Sequence, residues 1–151
     1  MTWGLVEVRE FVDVERVRQI RNTCREFMTR DTREVSEQTQ LRWWVDRKPD
    51  MRLFLFRLEG DDVGYGLTRE ERGALIVSGG LLPEYRRMGI GNALFRLLTL
   101  TGLPKGKFTC RLEVRIDNMP ARTTYERIGF CYVDDPKNAD LNILTMELYF
   151  A

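Results

Sequence analysis

Histidine is absent from the 151 residues. That absence excludes imidazole acid–base catalysis, Ser–His and Cys–His nucleophilic pairs and zinc sites of the HExxH type. Cysteine is scarce: Cys24, Cys110 and Cys131 are scattered without CxxC spacing. They read as apolar side chains in a reducing cytoplasm rather than a disulfide or metal framework, and no metal is expected. No stretch approaches the roughly 18 uninterrupted apolar residues of a membrane span. Neither sign of charge dominates, since 24 Lys+Arg against 23 Asp+Glu give a formal charge of +1. Nucleic acid and anionic membrane are therefore not expected as partners. Met1 to Glu7 lack a basic flank followed by an apolar stretch, so no signal peptide is expected and the location is read as cytoplasmic. Chemistry, if there is any, must come from carboxylates, tyrosine, backbone amides or a bound cofactor.

What is present suffices for one packed core over residues 1–151, with 43% hydrophobic residues and a length at which a single domain buries most of its surface. Leu5 to Val8 is a strand. Val14, Val17, Ile20, Cys24 and Phe27 recur at helical spacing, with Asp13 as the expected N-cap. Ser36 caps a second helix with Glu37 in its first turn and Leu41, Trp44 and Val45 on its apolar side. Arg52 to Leu58 and Val63 to Thr68 form a hairpin around Glu59-Gly60-Asp61-Asp62, and Ala74 to Leu82 is a third strand, ended by Pro83. Ile90, Ala93, Leu94, Leu97 and Leu98 give the clearest amphipathic helix. Phe108 to Val114 follows as a strand. A helix then has Asn118 near its cap, Pro120 in its first turn and Gly129 as its left-handed terminator. Phe130 to Val133 and Ile143 to Phe150 complete a mixed α/β (α+β) domain of order β-α-α-β-β-β-α-β-α-β-β, a central mixed sheet with flanking helices.

The segment richest in chemistry is Leu81-Leu82-Pro83-Glu84-Tyr85-Arg86-Arg87-Met88-Gly89-Ile90-Gly91-Asn92, a loop entering the best helix. Such a loop presents unpaired N–H groups and the positive end of the helix dipole, and Gly89 and Gly91 let the backbone approach an anion. The dipole supplies only about 0.3–1 kcal/mol, whereas several amide bonds to charged oxygens, about 1.5–3 kcal/mol each, could hold a ligand. Arg86 and Arg87 add forks suited to phosphate. The segment is neither GxGxxG, because Leu94 takes the third glycine place, nor a P-loop, because no Gly-Lys-Ser/Thr follows. Taken alone, it is equally a turn with solvated charge.

Arg86-x-x-Gly89-x-Gly91 resembles the Gln/Arg-x-x-Gly-x-Gly/Ala signature of the GCN5-related N-acetyltransferase (GNAT) superfamily. Leu112-Glu113-Val114 followed by Asn118-x-x-Ala121-x-x-x-Tyr125-x-x-x-Gly129-Phe130 resembles that superfamily's second block, and is similar to the ribosomal-protein alanine N-acetyltransferases. Trp43-Trp44 looks more like acetyltransferases of small amines or amino sugars. The resemblance covers residues 79 to 130 and implies acetyl-CoA as co-substrate. Met88, Gly89, Ile90, Gly91 and Asn92 would bind its pyrophosphate, and Gly79, Gly80 and Leu81 its pantetheine arm as an added strand. A β-bulge next to Pro83 would open the slot. Asn118 would contact the cofactor or cap its helix. Glu113 would be general base and Tyr125 general acid; Glu84 and Asp117 are competing carboxylates. Alternation puts Arg111, Glu113 and Arg115 on one side of their strand.

Acceptor recognition is expected from Phe27 to Trp44, with Arg30, Asp31, Arg33 and Glu34, and from Pro136 to Asn142. The expected reaction is acetylation of a primary amine of a small molecule. Acetylation of a protein or peptide N-terminus and a non-catalytic CoA-binding module stand as alternatives, and a homodimer is left open. No cysteine is required as a nucleophile.

Overall fold

The computed structural model describes residues 2–86 and 88–150, with Phe27 described in its backbone only. The elements are β1 (Trp3–Glu7), α1 (Phe11–Thr23), α2 (Glu37–Asp46), β2 (Arg52–Leu58), β3 (Asp61–Glu71), β4 (Ala74–Leu81), α3 (Ile90–Leu100), β5 (Thr109–Arg115), α4 (Met119–Ile128), β6 (Cys131–Val133) and β7 (Ile143–Tyr149). This is the order read from the sequence. One sheet runs β1-β2-β3-β4-β5-β7-β6. Its pairs are antiparallel except β4 with β5, which the α3 crossover joins in parallel.

β2 shows how the sequence makes two cores from one sheet. Leu53 and Leu55 pack with Val14, Val17, Ile20 and Cys24 of the α1 side. Phe54, Phe56 and Leu58 pack on the opposite face with Ile90, Leu94 and Leu98 of α3 and Tyr125 of α4. A strand apolar at consecutive positions is thus covered on both faces. Ser36 Oγ accepts from Thr39 N at 3.2 Å and Asn118 Oδ1 from Ala121 N at 3.4 Å. Gly129 ends α4 at φ 118°, where a Cβ would be strained.

Three local expectations are corrected. Asp13 is not the α1 cap: Glu10 holds that place without a side-chain bond, and Asp13 N already donates to Glu10 O at 3.1 Å. Phe11 and Val12 are exposed, so the buried periodicity begins after the helix does. On α2 the inward positions are Gln40, Trp43 and Trp44, while Leu41 and Val45 are exposed. The inward set has i, i+3, i+4 spacing, one residue round the helix from the expected stripe. Finally, no bulge adjoins Pro83. The β3–β4 register runs unbroken from Gly64↔Leu81 to Glu71↔Ala74, and the register shift lies at Phe56/Arg57 of β2.

Candidate active site

β4 and β5 pair only at Leu75↔Cys110 and Ile76↔Arg111. Beyond that point β4 stays with β3 and β5 stays with β7 to their ends. The two halves of the sheet therefore part, and a slot opens along Ser78 to Leu81. Leu82 N donates to Val63 O at 2.9 Å. Strand alternation then turns Gly80's N–H and C=O toward β3 and those of Gly79 and Leu81 toward the slot. The Leu81 carbonyl already accepts from Cys24 Sγ and from Arg86 Nε, both at 3.1 Å. What faces the slot for an extended ligand is the Gly79 N–H and C=O and the Leu81 N–H, so Gly80 drops out of the expected set. A Cβ on Gly79 would lie 2.4 Å from Tyr65 O, so glycine is obligatory there.

The first turn of α3 closes the end of this slot. Gly89 caps the helix at φ 77° with no side-chain bond, and the first turn carries no acidic residue. Ala93 N takes Gly89 O at 3.4 Å, leaving the N–H groups of Ile90, Gly91 and Asn92 without intrahelical partners. Gly91 lies against Leu81, whose Cδ1 would be 3.4 Å from an added Cβ. These glycines therefore bring main-chain donors beside the β4 edge, as an anion cradle requires. Met88 is exposed and Ile90 buried. Arg86 Nε ties the loop to Leu81 O. Arg87 lies outside the described residues.

Glu113 projects from the side of β5 away from Leu112 and Val114, as alternation required. Arg30 grips it with Nε at 2.9 Å and Nη2 at 2.6 Å, and Asn138 Nδ2 donates to it at 2.5 Å. Lys137 Nζ stands 4.0 Å away. Burial, the largest single influence, pushes the Glu113 carboxyl up; the bonds from Arg30 and Asn138 and the charges of Arg30 and Lys137 together outweigh it, so it stays ionised below its ordinary value. Of the competitors, Asp117 is exposed and bound to Arg115 at 2.8 Å, and Glu84 is exposed. Arg30 and Asn138 of the 136–142 segment meet at Glu113. Their bond to Glu113 was not legible, because 83 residues separate Arg30 from Glu113. Thr145 was missed as well. The β5–β7 register places it opposite Glu113, and its hydroxyl links Asn138 at 3.1 Å to Asp135 at 2.9 Å.

Tyr125 is buried with its ring edge-on to Phe95 at 4.9 Å and to Phe130 at 6.1 Å. Burial raises its phenol well above the ordinary value, so it remains an O–H donor. Asn118 caps α4 through its side chain. Cys24 and Cys110 are buried thiols whose acidities burial suppresses, Cys110 to about 11. Neither is disposed to be a thiolate nucleophile. No helix among the described residues is long and apolar enough to cross a membrane, and no group of three or more Cys, Asp or Glu among them is placed to hold a metal ion.

Residues 14–130 match the Acetyltransferase (GNAT) family. A mycothiol acetyltransferase of Streptomyces griseus is 37% identical over 94 residues, covering 58% of this chain and 28% of that protein. An N-alpha-acetyltransferase of Sulfurisphaera tokodaii is 33% identical over 93 residues, covering 51% of this chain and 54% of that protein. The chain thus spans little more than half of one curated relative and under a third of the other. In fold it is similar to an aminoglycoside acetyltransferase crystallised with coenzyme A, at TM-score 0.80 and 15% identity over 98% of this chain and 95% of that one. It is also similar to a ribosomal-protein-alanine N-acetyltransferase from Brucella melitensis, at TM-score 0.79 and 17% identity over 97% and 99%. With the splayed strands, the glycine-capped helix and the family match in the same span, the chain belongs to the GNAT family of acetyltransferases.

Proposed function

We propose that this chain transfers the acetyl group of acetyl-CoA to the primary amine of a small molecule by direct attack on the thioester. The observation that carries the reading is the edge of β4 that turns the Gly79 N–H and C=O and the Leu81 N–H away from β3, set against a first turn of α3 with no side-chain cap. An extended polar arm fits the first, and a diphosphate fits the second. Acetyl-CoA supplies an activated acyl carbon. Gly79 and Leu81 align the arm; the amides of Gly89, Ile90, Gly91 and Asn92, with Met88 beside them, hold the phosphates; Asn118 serves by fixing the start of α4.

Glu113 takes one proton from the acceptor's ammonium and passes it to water, which frees a lone pair to form the C–N bond. As the C–S bond breaks, the Tyr125 O–H protonates the sulfur and recovers a proton from the new amide nitrogen. The sum releases one proton to solvent. Proton transfers of this kind contribute about 10²–10⁴-fold each.

The small-acceptor preference rests on Arg30 Nη2, which donates to Asn138 Oδ1 at 2.6 Å. That bond ties the segment after α1 to the segment before β7, across the face that carries Glu113. An extended peptide would have to part the two segments, whereas a small amine need only displace one side chain. Peptide acceptors are the second reading, favoured by the relative named N-alpha-acetyltransferase. Thiol release from acetyl-CoA over a panel of aliphatic amines, amino sugars and N-terminal peptides separates the two. Turnover on small amines is expected; turnover on peptides alone overturns the acceptor assignment, and none on any acceptor favours a CoA-binding module.

A further inference from the structure

Three oxygens converge on one cation at the end of β5. Glu113 Oε1 and Oε2 and Asn138 Oδ1 all accept from the Arg30 guanidinium, at 2.9, 2.6 and 2.6 Å. The acceptors are largely buried, whereas the donor reaches them from a partly exposed loop. Glu113 stands on a strand paired through its length with β7. Asn138 is only 4% exposed, and Thr145 and Asp135 fix it from behind. Arg30 lies between α1 and α2, outside regular structure, with 47% of its side chain exposed. The set of three acceptors also matches the three N–H donors of an alkylammonium ion.

We propose that Arg30 stands in for the acceptor's ammonium: in the free protein its guanidinium fills the cation place on Glu113 and Asn138, and a cationic amine must displace it before reacting. This rests on Glu113 as the proton acceptor, and it defines the substrate class as amines that arrive protonated. It also makes Arg30 a positioning residue, closing the site when no acceptor is present and swinging out when one binds. One cation replaces another, so no bare carboxylate is left in a half-buried place. The other charges facing Glu113 are Lys137, shared with Asp135 at 4.0 Å from each carboxylate, and two flanking pairs, Arg111–Glu147 and Arg115–Asp117. Each of those pairs is matched internally. Lys137 stays at the rim on either side of the exchange.

The test is an NMR titration with n-butylammonium chloride, following the Glu113 carboxyl carbon and the Arg30 Nε–H, with tetramethylammonium as a cation lacking N–H donors. In the wild type, n-butylammonium shifts both signals and tetramethylammonium neither. Arg30→Gln binds n-butylammonium about two- to fivefold more tightly, the range of a partly exposed ion pair. Its Glu113 carboxyl titrates at higher pH, so the acid limb of the kcat/KM profile moves up, and Arg30→Lys returns both toward wild type. An Arg30 signal unmoved by n-butylammonium, or tetramethylammonium acting as strongly, overturns the proposal without any variant. So does an Arg30→Gln protein that binds n-butylammonium more weakly. Because the titrations omit acetyl-CoA, failure of acetyl transfer with the exchange intact ends the functional reading alone. Failure of the exchange with turnover intact ends this inference alone.

Discussion

The opposite proton roles proposed for Tyr125 and Glu113 follow from their different surroundings. Phe95 and Phe130 enclose the phenol in an apolar wall, which keeps its proton on. Arg30 and Asn138 hold the carboxylate ionised despite burial. Tyr125→Phe removes one O–H from a position whose packing it preserves, so kcat should fall by about 10²-fold while the acetyl-CoA dissociation constant is retained; steady-state kinetics beside calorimetry checks this. Glu113 has a lowered carboxyl pKa, so it binds protons more weakly folded than unfolded. Its contribution to stability is full above the ordinary carboxylate value and is lost as pH falls through the depressed one. Urea denaturation of wild type and Glu113→Gln should therefore differ most near neutrality and converge in acid. Both residues were legible through the family resemblance, Tyr125 on its Asn-x-x-Ala-x-x-x-Tyr spacing; strand alternation by itself put Glu113 only on the charged side of β5 with Arg111 and Arg115. The hold on Glu113 was not legible, because it is made by loop residues whose meeting depends on how α1 and the β6–β7 connection are laid across the sheet.

Among the elements, local chemistry was readable where one residue fixes one end: Ser36 and Asn118 cap, and Gly129 terminates. It failed where a helix's neighbours choose its inward face. α2 turns Gln40, Trp43 and Trp44 inward and leaves Leu41 and Val45 out, since its partner is α1, whose place no local pattern states. The glycines of the site divide by cause. Gly89→Ala meets no atom within 4 Å but forces φ 77° on a residue with a Cβ, and should cost about 1–2 kcal/mol. Gly79→Ala would put its Cβ against Tyr65 O, forcing β3 from β4. It should lower Tm more than Gly89→Ala and abolish coenzyme A binding, as thermal melts with and without coenzyme A will show.

At the scale of the molecule, the proposed function follows from a pairing that stops. The parallel contact of β4 with β5 is confined to two residue pairs, and the strand residues assigned to the site, Gly79, Leu81 and Glu113, lie beyond them. The element order was legible in full. The origin of the opening was not, because it comes from the divergence of two hydrogen-bonded half-sheets rather than from a bulge with a local signature. A ligand held there should stabilise the whole fold, by about 2.7 kcal/mol at a hundred times its dissociation constant, and differential scanning fluorimetry with coenzyme A measures it. The most direct measurement is an amide-resolved NMR titration with coenzyme A. The N–H signals of Gly79, Leu81, Gly89, Ile90, Gly91 and Asn92 should shift together and saturate, while that of Gly80, bonded into β3, moves least. Saturable binding that leaves the α3 first turn and the β4 edge unmoved, or no binding at all, would contradict the assignment.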